Sequence, residues 1–346
     1  MKKKNIINLI KYYCENNDVG FKNEAYIIAD EFEKIGDYEL SEYIISIVSG
    51  TNVFEPQGDE FNLQYFKKIE ASSSKMPIPQ KLYRELEGII NAVSKRVGIN
   101  KFLFEGDPGT GKTETAKHLA TFLNRDLYAV QFDMVIDSKL GQTSKNITNL
   151  FNEIKNLSHP EKVIILFDEI DAIALDRLNN NDLREMGRAT STILRELDNL
   201  DDRIVFVATT NLFKSFDKAL IRRFDSVINF NCYEKEDLID VGVVILDDYL
   251  KLFNLENNNI RLFKKILNNI RVIPYPGDLK NIIKTSIAFS DVNNKNDYLK
   301  QLYLTLNNKD KINIKELQEE GFTVREIETL TGISKSTVSR GLKNNE

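Results

Sequence analysis

Residues 106–113 read Gly-Asp-Pro-Gly-Thr-Gly-Lys-Thr, and no other stretch narrows the fold of this chain so far. An apolar run, Phe102–Glu105, precedes the loop, and a helical run, Glu114–Leu123, follows it. A G-x-x-x-x-G-K-T spacing between a strand and a helix is a phosphate cradle. Its glycines let the backbone turn N–H groups inward. The helix behind it adds the partial positive charge of its N-terminus. Gly106, Asp107, Pro108, Gly109, Thr110 and Gly111 are therefore the candidate loop. Lys112 is the candidate partner of the β- and γ-phosphates, and Thr113 holds Mg²⁺ through its hydroxyl.

The loop predicts an α/β layer, and the rest of the chain supplies one. Apolar runs at Phe102–Glu105, Leu127–Phe132, Val163–Phe167, Ile204–Ala208 and Ser226–Phe230 alternate with helical stretches, the pattern of a parallel sheet. The run Val163–Phe167 ends in Asp168-Glu169-Ile-Asp171. Two adjacent acids at the C-terminal edge of such a sheet fit a phosphate site, Asp168 meeting Mg²⁺ through water and Glu169 polarising the attacking water. Ile204–Ala208 ends in Thr209-Thr210-Asn211, where Asn211 can bond a γ-phosphate or that water. Arg222 and Arg223 follow; a planar, permanently charged fork suits transition-state phosphate.

Composition bounds what else the chain can be. Its 346 residues carry a net charge of −5, two Cys and two His. So few Cys and His argue against a disulfide framework or a His-based metal centre, and Cys14 and Cys232 read as inert. His118 is expected on a helix surface and His159 in a loop. No apolar stretch reaches membrane-spanning length and the basic N-terminus lacks a signal-peptide core, so a cytoplasmic, non-membrane protein is expected.

Five segments are predicted. Residues 1–50 form an all-α docking domain; 51–78 form a Pro- and Ser-containing linker, in which Phe61–Phe66 offers a short ordered segment; 79–231 form the α/β subdomain. Residues 232–293 form a helical lid (Leu238–Leu252, Ile260–Ile270, Asp278–Phe289), and 294–346 a helical C-terminus.

The order GDPGTGKT, LFDEIDAIA, ATTN, ALIRRFD resembles the AAA family of ATPases from about Pro79 to Ser286. The resemblance implies a P-loop AAA+ module, a parallel sheet plus helical lid. It also implies ATP and Mg²⁺ as cofactors and a homo-oligomeric ring, usually a hexamer, with ATP at each subunit interface. Lys112, Thr113, Asp168, Glu169 and Asn211 would act within one subunit, and Arg222 and Arg223 on the neighbour's nucleotide. The family often separates its two arginines; here they adjoin, so the resemblance leaves open which one is the finger. Gly277 resembles the lid motif near the adenine, with Lys280 a candidate sensor. The pore-loop segment is matched by Lys139, Leu140 and Gly141, a lysine standing at the family's aromatic position. A positive loop favours an acidic peptide or a nucleic acid.

The C-terminal segment resembles a recombinase-type helix-turn-helix. Val324, Ile327 and Leu330 form an apolar stripe, Gly332 a turn, and Lys335, Ser336, Thr337 and Arg340 the candidate DNA-facing groups. Three functions follow. The first is an ATP-driven ring that remodels or activates a partner protein bound by the N-terminal domain, in the manner of bacterial phage-defence ATPases. The second is a DNA-acting ATPase, a loader or transposition-type regulator. The third is a nucleotide-gated sensor or transcription regulator.

Overall fold

The computed structural model describes residues 3–15, 17–49, 63–70, 77–137, 141–157, 159–171, 182–215, 218–255, 259–291 and 294–343. The chain divides into two compact units, Met1–Leu63 and Gln64–Glu346.

In the first unit, α1 (Lys3–Cys14), α2 (Asp18–Lys34) and α3 (Tyr38–Ser49) are amphipathic helices. Asn17 caps α2 by accepting the Gly20 N–H at 2.9 Å, which satisfies an otherwise open helix-end donor. Ala25, Ile28 and Ala29 are buried, whereas Ile7, Ile10, Tyr13, Val19, Ile35 and Ile47 are exposed.

The second unit begins with β1 (Phe66–Ile69), α4 (Gln80–Ser94), β2 (Lys101–Glu105), α5 (Lys112–Leu123), β3 (Asp126–Val130), α6 (Phe132–Val135) and α7 (Gln142–Lys155). It continues through β4 (Val163–Phe167), α8 (Asp182–Asp198), β5 (Val205–Thr210), α9 (Lys218–Ile221) and β6 (Ser226–Asn229). The strands form one six-stranded sheet in the order β1-β3-β4-β5-β2-β6. Every pair is parallel except β1 with β3.

Alternation along the strands builds both faces of this layer. Phe102, Phe104, Ile164, Leu166, Val205 and Val207 face α4 and α5, where Leu82, Leu86, Ile89, Ala116 and Leu119 complete the core. Phe167 and Phe206 pack against each other with centroids 4.8 Å apart, and Phe132, Phe151 and Phe224 surround them. β4 is buried along its whole length, as a central parallel strand requires.

Three expectations need correction here. The sheet is mixed rather than wholly parallel, because β1 lies within the stretch expected to be linker and pairs antiparallel on the edge. The sequence Phe-Lys-Lys-Ile offers only a faint strand signal, and the pairing with β3 supplies what propensity does not. The strand expected over Leu127–Phe132 does not reach Phe132, which opens α6 instead, its ring turned onto Phe167. His118 is buried on α5, not surface-facing.

Beyond β6 the chain is helical: α10 (Lys235–Leu252), α11 (Ile260–Asn269), α12 (Pro276–Ala288), α13 (Asp297–Leu306), α14 (Ile314–Glu319), α15 (Val324–Thr331) and α16 (Lys335–Lys343). One hydrophobic core joins Leu246, Phe263 and Leu279 to Tyr298, Leu302, Leu317, Leu330 and Val338. The boundary expected between residues 293 and 294 therefore falls inside a continuous core.

Candidate active site

The C-terminal ends of β2, β4 and β5 bring the predicted residues to one cavity of about 390 Å³. Pro108, Gly109, Gly111, Lys112, Thr113, Asp168, Glu169, Thr209 and Asn211 line it from the sheet side. Pro276, Gly277 and Lys280 line it from α12.

The loop holds its shape through backbone that only glycine adopts readily. Gly109 and Gly111 sit at φ +78° and +91°. Gly277 packs directly on Gly109, whose carbonyl accepts the Gly277 N–H at 2.8 Å. A Cβ added to Gly277 would lie 2.8 Å from the Gly109 Cα. Two tyrosines fasten the same junction. The Tyr233 hydroxyl donates to the Thr110 carbonyl at 3.0 Å, and Tyr275 bonds the Asp107 carboxylate. Burial raises both phenols above their ordinary range, and Asp107 raises Tyr275 further.

Lys112 is buried and donates to the carbonyls of Gly106 (2.7 Å) and Asp107 (2.9 Å) and to Asn211 Oδ1 (2.8 Å). Burial pushes its ammonium below the ordinary lysine range, against the pull of Asp168, Asp107, Asp171 and Glu169. Thr110 is fully buried, its hydroxyl donating to the Asp107 carbonyl, while the Asp107 N–H donates to Asn231 Oδ1.

Thr113 donates to both oxygens of Asp168 at 2.9 and 3.0 Å, and Thr209 donates to Asp168 Oδ1 at 2.8 Å. Thr113 and Asp168 are hard oxygen donors, the kind Mg²⁺ takes in small number alongside phosphates and waters. Among the described residues no group of three or more His, Cys, Asp or Glu could hold a metal ion by itself. The donor set thus fits a phosphate-bound magnesium. Glu169 stands at φ +54°, a conformation that costs a non-glycine residue about 1–3 kcal/mol. Its N–H is held by Thr209 Oγ1 at 2.8 Å, and its carboxylate meets Asn211 Nδ2 at 3.5 Å.

The arginines behave differently from each other. Arg223 makes a bidentate pair with Asp198 at the end of α8, at 3.0 and 3.1 Å. Arg222 is exposed and its side chain has no hydrogen bond or ion pair among the described residues. Lys139 and Leu140 lie outside the described residues; Gly141 is the left-handed N-cap of α7 at φ +79°. Lys335, Ser336, Thr337 and Arg340 are exposed on α16.

Sequence reasoning missed Thr209, Tyr233, Tyr275 and Asp198 as supporting residues. Only Thr209 carried a signal, its place beside Asn211 at a strand tip.

The loop, the acid pair and the polar strand tip around one cavity define a phosphate-binding α/β module of the P-loop class. Within it, residues 102–232 match the profile of the AAA family, ATPases associated with various cellular activities. The chain therefore carries an AAA-family ATPase domain. The chain is 36% identical, over 132 positions, to the uncharacterised AAA family ATPase y4kL of Sinorhizobium fredii, covering 38% of this chain and 39% of that protein. A second match, 28% over 225 positions, is to the peroxisomal ATPase PEX6 of Saccharomyces cerevisiae, covering 63% of this chain and 21% of that one. The chain thus spans two-fifths or less of these curated relatives. Its fold is similar to a chain of the solved E. coli MS115-1 HORMA:CdnC:Trip13 complex, with TM-score 0.53 and 16% identity over 69% of this chain and 94% of that one. No helix among the described residues is long and apolar enough to cross a membrane.

Proposed function

We propose that this chain is an ATPase that hydrolyses ATP at the subunit interfaces of a homo-oligomeric ring, a hexamer, to remodel or activate a partner protein. The observation that carries the reading is the convergence of Lys112, Thr113, Asp168, Glu169 and Asn211 on one cavity. Lys112 and the loop N–H groups bind the phosphates, Gly277 and Lys280 close the cavity from the lid, and Glu169 takes a proton from the attacking water. Asn211 spans Lys112 and Glu169, so it can register the γ-phosphate between them. Magnesium, when bound by Thr113 and Asp168, supplies neutralisation of phosphate charge.

Arg222, unpaired, serves the neighbouring subunit's nucleotide, while the Asp198 pair keeps Arg223 within its own subunit as a strut. The exposed apolar residues of α1–α3 suit a docking surface for the partner. The short helical unit before the AAA domain and the helical region after it are in keeping with a phage-defence setting. Similarity to a chain from a multi-protein complex supports action on partner proteins.

The test is ATP turnover with purified chain. Wild type should hydrolyse ATP, and Glu169→Gln should bind it but lose about a thousandfold in rate. A variant that hydrolyses at the wild-type rate removes Glu169 as the base. Mixing Arg222→Ala with Glu169→Gln subunits should restore activity. Tight ATP binding without turnover in the wild type would favour the nucleotide-gated regulator instead.

A second reading, a DNA-acting ATPase, is favoured by the charges of the C-terminal helices. Glu316 and Glu320 pair with Lys309, and Glu326 with Lys265 at 2.6 Å. Those acids are thereby offset, whereas Lys335 and Arg340 stay exposed. Against it, Glu328 accepts the Lys335 N–H at 2.8 Å, placing a carboxylate at the start of α16. Stimulation of ATPase by duplex DNA, lost in Lys335→Ala/Arg340→Ala, would establish it. Truncation is the wrong tool, because Leu317, Leu330 and Val338 belong to the lid core.

A further inference from the structure

We infer that Asp171 is a positioning residue for Asn211 that controls the rate of hydrolysis without controlling nucleotide affinity; the inference rests on the ATPase reading above. Asp171 is 5% exposed and does not touch the cavity. A buried carboxylate is costly unless its oxygens are used, and both are. One accepts the Thr210 hydroxyl, the other the Asn211 N–H at 2.8 Å. Thr210 Oγ1 in turn accepts the Leu212 N–H at 3.0 Å, which leaves its own proton for Asp171. Hydrogen bonds to an ionised acceptor are about twice as strong as neutral ones. A single carboxylate therefore gathers residues 210–212, the whole tip of β5.

The same tip is laced to the turn that carries the catalytic acids. Ile170 N–H donates to the Thr209 carbonyl at 3.0 Å, and Glu169 N–H to Thr209 Oγ1 at 2.8 Å. Asp168, Glu169 and Asp171 thus leave one turn toward three partners: Thr113, the Asn211 side chain and the Asn211 backbone. This fixes the Asn211 amide between Lys112 and Glu169. An asparagine at 171 cannot reproduce it. Its carbonyl oxygen can accept the Asn211 N–H only if its NH₂ meets the Thr210 hydroxyl, whose own proton is then left buried without this acceptor. The β5 tip relaxes, and a catalytic group displaced by about 1 Å can lose about a hundredfold in rate. The phosphate loop stays anchored to β2 and α5, and Lys112 keeps its bonds to the Gly106 and Asp107 carbonyls, so binding is spared.

The experiment measures kcat, KM and the affinity for a non-hydrolysable ATP analogue in full-length wild type, Asp171→Asn, Thr210→Val, Asn211→Ala and the double variant Asp171→Asn/Asn211→Ala. Expected is a fall of about thirty- to a hundredfold in kcat for Asp171→Asn, with analogue affinity within about twofold of wild type. Thr210→Val should lose about three- to tenfold, and it carries the test if Asp171→Asn does not fold. The double variant should be no slower than Asn211→Ala alone, since both changes act through one side chain. A wild type that hydrolyses ATP beside an equally active Asp171→Asn overturns the role of Asp171 alone. Multiplicative losses in the double variant also overturn it. A wild type that binds ATP and never hydrolyses it overturns the ATPase reading itself.

Discussion

The phosphate end of the sheet and the C-terminal helices α14–α16 both bear recognisable sequence motifs, but their polar side chains meet different fates. At the sheet edge, Lys112, Thr113, Asp168, Glu169, Asp171 and Asn211 bond one another across 40 to 99 residues of chain. On α16, Lys335, Ser336, Thr337 and Arg340 face solvent, and Val338 between them is buried in the lid core. In the first region polar residues make the site and support one another. In the second, Leu317, Ile327, Leu330 and Val338 extend the lid core, and acids such as Glu326 serve as ties. Burial pushes Glu326 upward, yet bonds from Lys265 and Thr323 hold it below the ordinary carboxylate range. Similar motif clarity therefore accompanies two different physical situations.

Four measurements can break or sharpen that contrast. The largest effect is expected at the sheet edge. Lys112→Ala should weaken ATP binding at least about a hundredfold by equilibrium titration, because a charged, buried phosphate partner is removed. Next comes Leu330→Ala, expected to cost about 2–5 kcal/mol in chemical denaturation. A loss below about 1 kcal/mol would mean that the C-terminal helices do not share the lid core in solution.

Gly277→Val tests the junction between lid and loop. Its side chain would collide with Gly109, and nucleotide affinity should fall about tenfold, a 1.4 kcal/mol effect, with little change in secondary structure by circular dichroism. Lys335→Ala/Arg340→Ala should change stability least, by about 0.5 kcal/mol or less. If α16 meets DNA, the pair should also reduce the slope of log K against log salt by about two. An unchanged slope would leave this region a purely structural extension of the lid.

Legibility in the sequence followed the range of the interactions. The loop 106–113 was legible because its conformation is local: glycine spacing, a strand before and a helix after. The helices of the lid were legible within a few residues because their apolar positions recur at helical spacing. β1 was not, since four residues with two lysines become a strand only by pairing with β3. The burial of His118 was invisible for a related reason, as it depends on what packs over α5. The two arginines were inseparable in sequence and are distinct in the fold, because Asp198 on α8 takes one and leaves the other.

What the sequence determined by itself was chemistry that resides in neighbouring residues: a phosphate loop, an acid pair at a strand end, a polar strand tip, and their order in an AAA-type domain. Tertiary structure alone decided which of these groups hold one another. Thr209 on Asp168, Asp171 beneath Asn211, Gly277 against Gly109 and Val338 in the lid core each join residues distant along the chain. Such contacts depend on how strands order in a sheet and how helices share a core, and neither is written in any short window of sequence.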